Sequence, residues 1–596
     1  MSQRSGIARV AIGVVVVIII VILVAAAYFA LSQTTTTSTT SLTSVSSTSS
    51  SSPISSSSSV ISSASSSTAG SVSQGSWPGQ KNNVSFFYAA GLSIPDPAIS
   101  TDTSGGQIGL NMYDGILAYD GNNPPGLSPG LASSWTSSSD GLHYTFILRQ
   151  STFHDGTPVT AADVVYSSDR VMAILQGFSY LWVGVLKPGD VKALNNSAVE
   201  FNLEKPYSSF LTTMPFMFVL NSKLVMANTQ SSGSYGSNGD YGTTWFTQGH
   251  DAGSGPYTLT QWVQGVSYTF NAYLNYWRGW KQNQIFGETL YANNAETTVK
   301  VRFQQTPGAF AGEFLSAEFY KTIANTSGFA ITGPSRPGNA FFVLTNDAVA
   351  PLNNAHFRRA LAYLFNYTDF EKNVRANGLF HDAPLAWGML PSVYPGFSSN
   401  VPHPVYANIS AAKAELSASG INPSGLRALT CGAIDGSELS RLICFQLGAN
   451  AKLIGITINE QDLNFATYQG QFGGNGSSLV DMATIGEFVD YPDPGALLFP
   501  TFHSVPSNAS HTVAINPDYF ANATLDKLLD DARTATNSSQ ALQDYMSAQL
   551  ILAQQMPAIP IMEQGVVVPH DAHAQFTYSF ELLWERIYYW TWNPNA

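Results

Sequence analysis

Two kinds of apolar pattern run along this chain, one continuous and one periodic. Val10 to Leu31 is a run of 22 residues without a charge, preceded by Arg4 and Arg9. About 20 apolar residues span a hydrocarbon core as a helix, and the flanking arginines place the N-terminus in the cytoplasm. The run therefore predicts a transmembrane anchor over residues 1–31. A cleaved secretory signal is the alternative, given Ala25, Ala26 and Ala27 near its end. From Ser32 to Ser73 roughly three quarters of the positions are Ser or Thr, with almost no charge. Such a segment buries too little surface to offset its ordering entropy, so residues 32–80 are expected to form a disordered, O-glycosylated stalk. Its reach is about 35 Å as a coil and on the order of 140 Å fully extended.

Beyond residue 80 the pattern becomes that of a folded α/β domain. Alternation or aromatic content predicts strands at Val84–Ala90, Tyr144–Leu148, Val199–Leu203, Ser267–Asn271 and Ala340–Thr345. Apolar residues at three- and four-residue spacing predict helices at Ala161–Leu175, Ala355–Leu364, Ala411–Ser419, Ser437–Leu453 and Thr524–Thr536. Thr160 and Ser410 are the expected N-caps of the first and third. About 515 residues exceed one core, so two or more lobes joined by several crossings are expected.

Composition narrows the function. Only 11% of residues are charged and the formal net charge is -13, with no long basic run, which argues against a nucleic-acid partner. Asn-X-Ser/Thr acceptors stand at Asn83, Asn195, Asn325, Asn366, Asn408, Asn475, Asn508, Asn522 and Asn537, as expected of a glycosylated exterior. Low charge on an outward-facing chain also suggests a domain that works in acid, where most carboxylates are protonated. The two cysteines, Cys431 and Cys444, are too few for a thiolate metal site; a 13-residue separation permits one bridge, and two buried thiols are the alternative.

An enzyme would need a nucleophile or a metal site. The chain holds no Gly-x-Ser-x-Gly, His-Glu-x-x-His or Gly-x-x-x-x-Gly-Lys-Ser/Thr. Ser410-Ala-Ala-Lys413 lacks the companion motifs of penicillin-recognising enzymes and reads as a helix cap, and His356, His381 and His403 fit no compact metal spacing. No cofactor is expected.

One stretch is far more specific. Leu127–Arg170 reads LSPGLASSWTSSSDGLHYTFILRQSTFHDGTPVTAADVVYSSDR. Here Asp155-Gly156 suits a tight turn, Pro158 fixes its exit, and Thr160 can cap a helix lined by Ala161, Val164, Val165 and Val171. The stretch closely resembles the family 5 extracellular solute-binding proteins of ABC importers, the dipeptide, oligopeptide and nickel class. The likeness continues through IPDP at Ile94–Pro97, GSGPYTL at Gly253–Leu259, FRRALAYLFN at Phe357–Asn366, VDYPDPGALL at Val489–Leu498 and AQQMPAIPI at Ala553–Ile561.

That resemblance implies a two-lobed periplasmic-binding-protein-like fold of type II with an extra subdomain, in an archaeal membrane-anchored member. Lobe one would comprise residues 81–111, 251–338 and the tail 562–596, with 112–250 inserted, and lobe two 339–561. It implies capture of a peptide or oligosaccharide for an ABC permease and its ATPases, by a single-pass protein with its folded domain outside the cell. A sensory receptor and a surface hydrolase are the alternatives. In the family's peptide binders the first Asp of an Asp-x-x-Asp/Glu-Pro loop pairs with the ligand's α-amino group; this would be Asp490, with Tyr491 beside it, while Asp493 organises the turn. Where oligopeptide binders carry Trp and Arg ahead of this Asp, the chain has Glu487 and Thr484, so a different polar contact is implied. The chain has 11 Trp, 27 Tyr and 34 Phe, and sugar faces stack on such rings. Trp387, Phe341, Phe342 and Asn346 are expected cleft residues by analogy, and Trp590 and Trp592 packing residues.

Overall fold

The computed structural model describes residues 82–595 except 89–91, 101–102, 120–125, 293–295, 312–314, 333–337, 377–387, 403–406, 436, 464–466, 468–479, 488–490, 505–515, 565–566, 576–585 and 594. The chain divides into Met1–Ser76 and Trp77–Ala596, and every described residue belongs to the second unit. The expected anchor and stalk lie outside the described residues. Among the described residues no helix is long and apolar enough to cross a membrane.

Three sheets organise the second unit. The seven-stranded sheet of lobe one runs, in spatial order, Phe329–Thr332, Val568–Asp571, Ala309–Ala311, Asn83–Tyr88, Gly287–Ala292, Ser267–Ala272 and Tyr257–Val263. Lobe two has five strands, Ile458–Leu463, Leu429–Ile434, Met482–Glu487, Asn339–Thr345 and Ala558–Gln564. An inserted sheet is built from Ala132–Ser137, His143–Leu148, Ala198–Asn202 and Val191–Asn195. Asn83–Tyr88 pairs in parallel with Gly287–Ala292 and with Ala309–Ala311. Parallel neighbours need a covering crossover, and helix Glu296–Gln305 supplies one between the last two strands named. Asn339–Thr345 is central in its sheet and buried at every position, which is why Ala-Phe-Phe-Val-Leu there is continuous rather than alternating.

The chain leaves lobe one after Thr332 and returns to it after Gln564. Thr332 pairs with Val568 in one sheet and Asn339 with Gln564 in the other, so the ends of the two crossings are paired. The strand of the return crossing continues to Gln564, past the expected lobe boundary at 561. One core joins the lobe-one sheet to the insert, including Phe86, Tyr113, Trp182 and Phe246. A second fills lobe two around Phe342, Leu361, Leu447 and Tyr545. A third, around Phe87, Phe303 and Phe319, belongs to lobe one. Trp590 is buried and stacks on Phe310 at 4.7 Å, as a packing residue should.

The signature segment is held by buried polar pairs. Arg170, in the third turn of helix Ala161–Ile174, donates from Nη1 and Nη2 to the two oxygens of Asp96 at 2.7 and 2.6 Å, with both side chains 0% exposed. Its Nε donates to the Tyr241 carbonyl. His154 places Nδ1 2.8 Å from Asp251 and Nε2 3.0 Å from the Gly255 carbonyl. Burial alone pushes this imidazole down, but the Asp251 carboxylate and the Gly255 carbonyl outweigh it and the net shift is upward. Asp155 accepts from the Thr157 N–H and from Asn221 Nδ2, and Asp163 from Thr160 and Ser222. Thr160 caps its helix as expected, its N–H and hydroxyl both donating to Asp163.

Two expectations resolve differently. Helix Ile409–Ala418 is capped by Asn408, whose Oδ1 accepts from the Ala411 N–H, and Ser410 lies inside its first turn. The amide oxygen two residues earlier reaches the free N–H groups first. Cys431 and Cys444 are bridged, with Cα atoms 5.6 Å apart.

Breaking the Arg170–Asp96 pair leaves an unpaired buried charge. Asp96→Asn or Arg170→Ala should destabilise by about 3–5 kcal/mol in urea denaturation, while Lys527→Ala, which breaks an exposed pair with Asp531, should leave the urea midpoint nearly unchanged. Glu288 sets a pH dependence. It is 1% exposed and accepts only from Gln107 Nε2 at 2.7 Å, and burial pushes its carboxyl up to about 8. The folded chain therefore holds this proton more tightly than the unfolded chain does, where the group titrates near about 4.5. The contribution is complete below about pH 4.5 and lost as pH rises to about 8. The urea midpoint should be higher at about pH 5 than at about pH 8, with a smaller difference in Glu288→Gln; a midpoint that rises with pH over this window contradicts the reading.

Candidate functional site

The two crossings put one row of side chains at the end of the lobe-two sheet. Ala340 pairs with Glu487 on one side and with Glu563 on the other. Directly opposed residues share a face, so two carboxyls flank one small methyl group. Glu563 is buried and accepts from the Ser392 N–H at 2.9 Å and its hydroxyl at 2.7 Å. Tyr394 donates to the Gly338 carbonyl at 2.9 Å, which ties the stretch following residue 387 to the outgoing crossing. Burial pushes Glu563 up to about 7, against the bonds from Ser392. Glu487 lies deep but keeps partial solvent access, and burial pushes it up to about 8. Among the described residues no basic side chain bonds either carboxyl.

The strand ending at Glu487 leads through 488–490 to Tyr491. Tyr491 is 7% exposed, belongs to the core shared by lobe one and the insert, and accepts a hydrogen bond from the Tyr207 hydroxyl at 3.2 Å. Asp493 behaves as the expected turn residue. Its Oδ1 accepts from the Gly495 N–H at 2.8 Å and from the Tyr545 hydroxyl at 3.1 Å, at the start of helix Gly495–Phe502.

Not all expected site residues meet here. Phe342 is 0% exposed and packs against Phe502 at 6.1 Å inside lobe two. Phe341, the next residue along the strand, is also buried and takes the opposite face from Ala340 and Phe342. Asn346 follows the far end of the strand, about 20 Å from Ala340 at strand rise, where its N–H donates to the Asp481 carbonyl and its Oδ1 accepts from the Ala348 N–H. Asp490 and Trp387 lie outside the described residues. Glu563 and Ser392 were not expected; the lone acid in the apolar strand AIPIMEQ was the available signal.

Of the glycan acceptors, Asn83, Asn195, Asn325 and Asn537 are exposed and Asn366, Asn408 and Asn522 half-buried, while Asn475 and Asn508 lie outside the described residues. Asn408, Asn522 and Asn537 are helix N-caps. His356 bonds Glu415, His381 and His403 lie outside the described residues, and among the described residues no three His, Cys, Asp or Glu side chains are placed to hold a metal.

Two sheet-based lobes joined by paired crossings, with polar groups gathered beside those crossings, define a solute-binding protein of the two-lobed class. The chain belongs to the bacterial extracellular solute-binding proteins, family 5, whose model matches residues 126–509. It is 25% identical over 479 residues to the Escherichia coli protein named "Probable D,D-dipeptide-binding periplasmic protein DdpA", covering 78% of this chain and 85% of that one. Its fold is similar to the Helicobacter pylori periplasmic binding protein DppA in complex with the peptide STSA, at TM-score 0.69 and 18% identity over 86% of this chain and 98% of that one. It is likewise similar to NikZ of Campylobacter jejuni in complex with Ni(L-His), at TM-score 0.71 and 19% identity over 86% and 100%.

Glu563→Ala strands the Ser392 donors and should cost about 1–3 kcal/mol in urea denaturation. It should also speed proteolysis between residues 377 and 394.

Proposed function

We propose that this chain is the peptide-capturing component of an ABC importer, held outside the cell by the Val10–Leu31 helix and its stalk, and that it delivers peptide to a permease powered by ATPases. The observation that carries the reading is Glu487, a carboxyl beside the crossings that no basic side chain among the described residues bonds. Such a group suits a ligand's ammonium, and Asp490, three residues on, supplies a second acceptor. Sugar recognition would call on accessible aromatic rings, whereas Phe341, Phe342 and Tyr491 are all buried. Peptide is therefore preferred over oligosaccharide. The lobes select ligand by satisfying polar groups from both sides at once, and no bond is made or broken. The exposed acceptors Asn83, Asn195, Asn325 and Asn537 are the favoured glycan sites.

Thermal shifts of the full-length chain in detergent, against peptides of two to eight residues and against oligosaccharides, test this reading. A saturating peptide should stabilise by a few kcal/mol. Glu487→Gln should weaken binding by about tenfold, and Asp490→Ala by more. A shift with oligosaccharides alone would overturn the proposal.

A further inference from the structure

Beyond the strand that ends at Glu487, lobe two meets the insert at Tyr491. Tyr491 enters the core shared by lobe one and the insert, where its hydroxyl meets that of Tyr207, which is 2% exposed. The next insert residue, Ser208, donates from its N–H to the Arg533 carbonyl at 2.8 Å and from its hydroxyl to the Ala532 carbonyl at 3.1 Å. These carbonyls belong to the last turn of helix Ala523–Thr534, whose final acceptors have no partners within the helix. The Arg533 guanidinium lies 4.9 Å from the Tyr207 ring and 4.5 Å from that of Phe499. Nearby the turn at Gly141 abuts the same helix end: a methyl group at Gly141 would lie 3.5 Å from Thr536 Cγ2.

The bonds that Tyr207 and Ser208 donate across this contact are neutral, so water can replace each of them when the two sides separate. The contact spans two bodies joined covalently only through the paired crossings. Tyr491, which makes the contact, is the next residue in sequence after Asp490, the proposed ligand carboxyl.

We propose that Tyr207 and Ser208 are positioning residues for ligand capture. They form a clasp between the insert and lobe two, on Tyr491 and the end of helix Ala523–Thr534, that engages with ligand and slows its release. The coupling to ligand rests on the peptide reading above; the clasp itself does not.

Spin labels on Ser139→Cys and Thr536→Cys, both exposed positions, report the clasp in the full-length chain, since the two native cysteines are bridged. The free protein should show a short and a long distance, and saturating peptide should leave the short one. Tyr207→Ala with Ser208→Ala should remove the short distance from the free protein and speed peptide dissociation by roughly tenfold in stopped flow. Tyr207→Phe, which removes only a hydroxyl, should speed it by about threefold and covers the case in which the double variant does not fold. A single short distance in every sample, or an unchanged dissociation rate in a variant whose melting temperature has fallen, would overturn the clasp and mark the contact as permanent packing. If the parent chain binds no peptide, the peptide reading fails, and the distances in free parent and free variant alone decide the clasp.

Discussion

The Arg170–Asp96 pair is the constraint on which the arrangement of lobe one and its insert depends. Both charges are removed from water, and neither can stay there without the other. Asp96 sits in the IPDP turn of lobe one, and Arg170 stands in the third turn of the insert helix Ala161–Ile174. The pair therefore fixes the insert to lobe one at one bearing. Asp114, buried at the entry to the insert, adds a second fixing by accepting from Tyr276, Trp277 and Arg586. With the insert so held, Tyr207 and Ser208 meet lobe two at Tyr491 and at the end of helix Ala523–Thr534.

Much of this was legible in the chain. The conspicuous motif FHDGTPVTAADV consists of residues whose polar atoms are consumed internally, His154 on Asp251, Asp155 on Asn221 and Asp163 on Ser222. Its turn and its helix cap could be read from the sequence pattern alone. Strand Asn339–Thr345 and helix Ala355–Leu364 were equally plain, because apolar continuity and amphipathic spacing are local properties.

What was not legible depends on register and distance. The row Glu487–Ala340–Glu563 brings together residues from three distant strands, and only strand pairing aligns them. Analogy placed Phe342 and Asn346 at the site; alternation along the strand sends the first into the core, and strand length carries the second to the far end. Spacing allowed a bridge between Cys431 and Cys444 without deciding it, since direction matters as well as separation.

The functional account rests on a partly buried carboxyl without a basic partner among the described residues. A group pushed up to about 8 is protonated near neutrality, so pairing with a ligand's ammonium must release its proton. Calorimetry of peptide binding at about pH 7 in buffers of different ionisation enthalpy counts that proton directly. The account predicts release of close to one proton per peptide bound, lost in Glu487→Gln. Binding that releases no proton in the parent chain would contradict it.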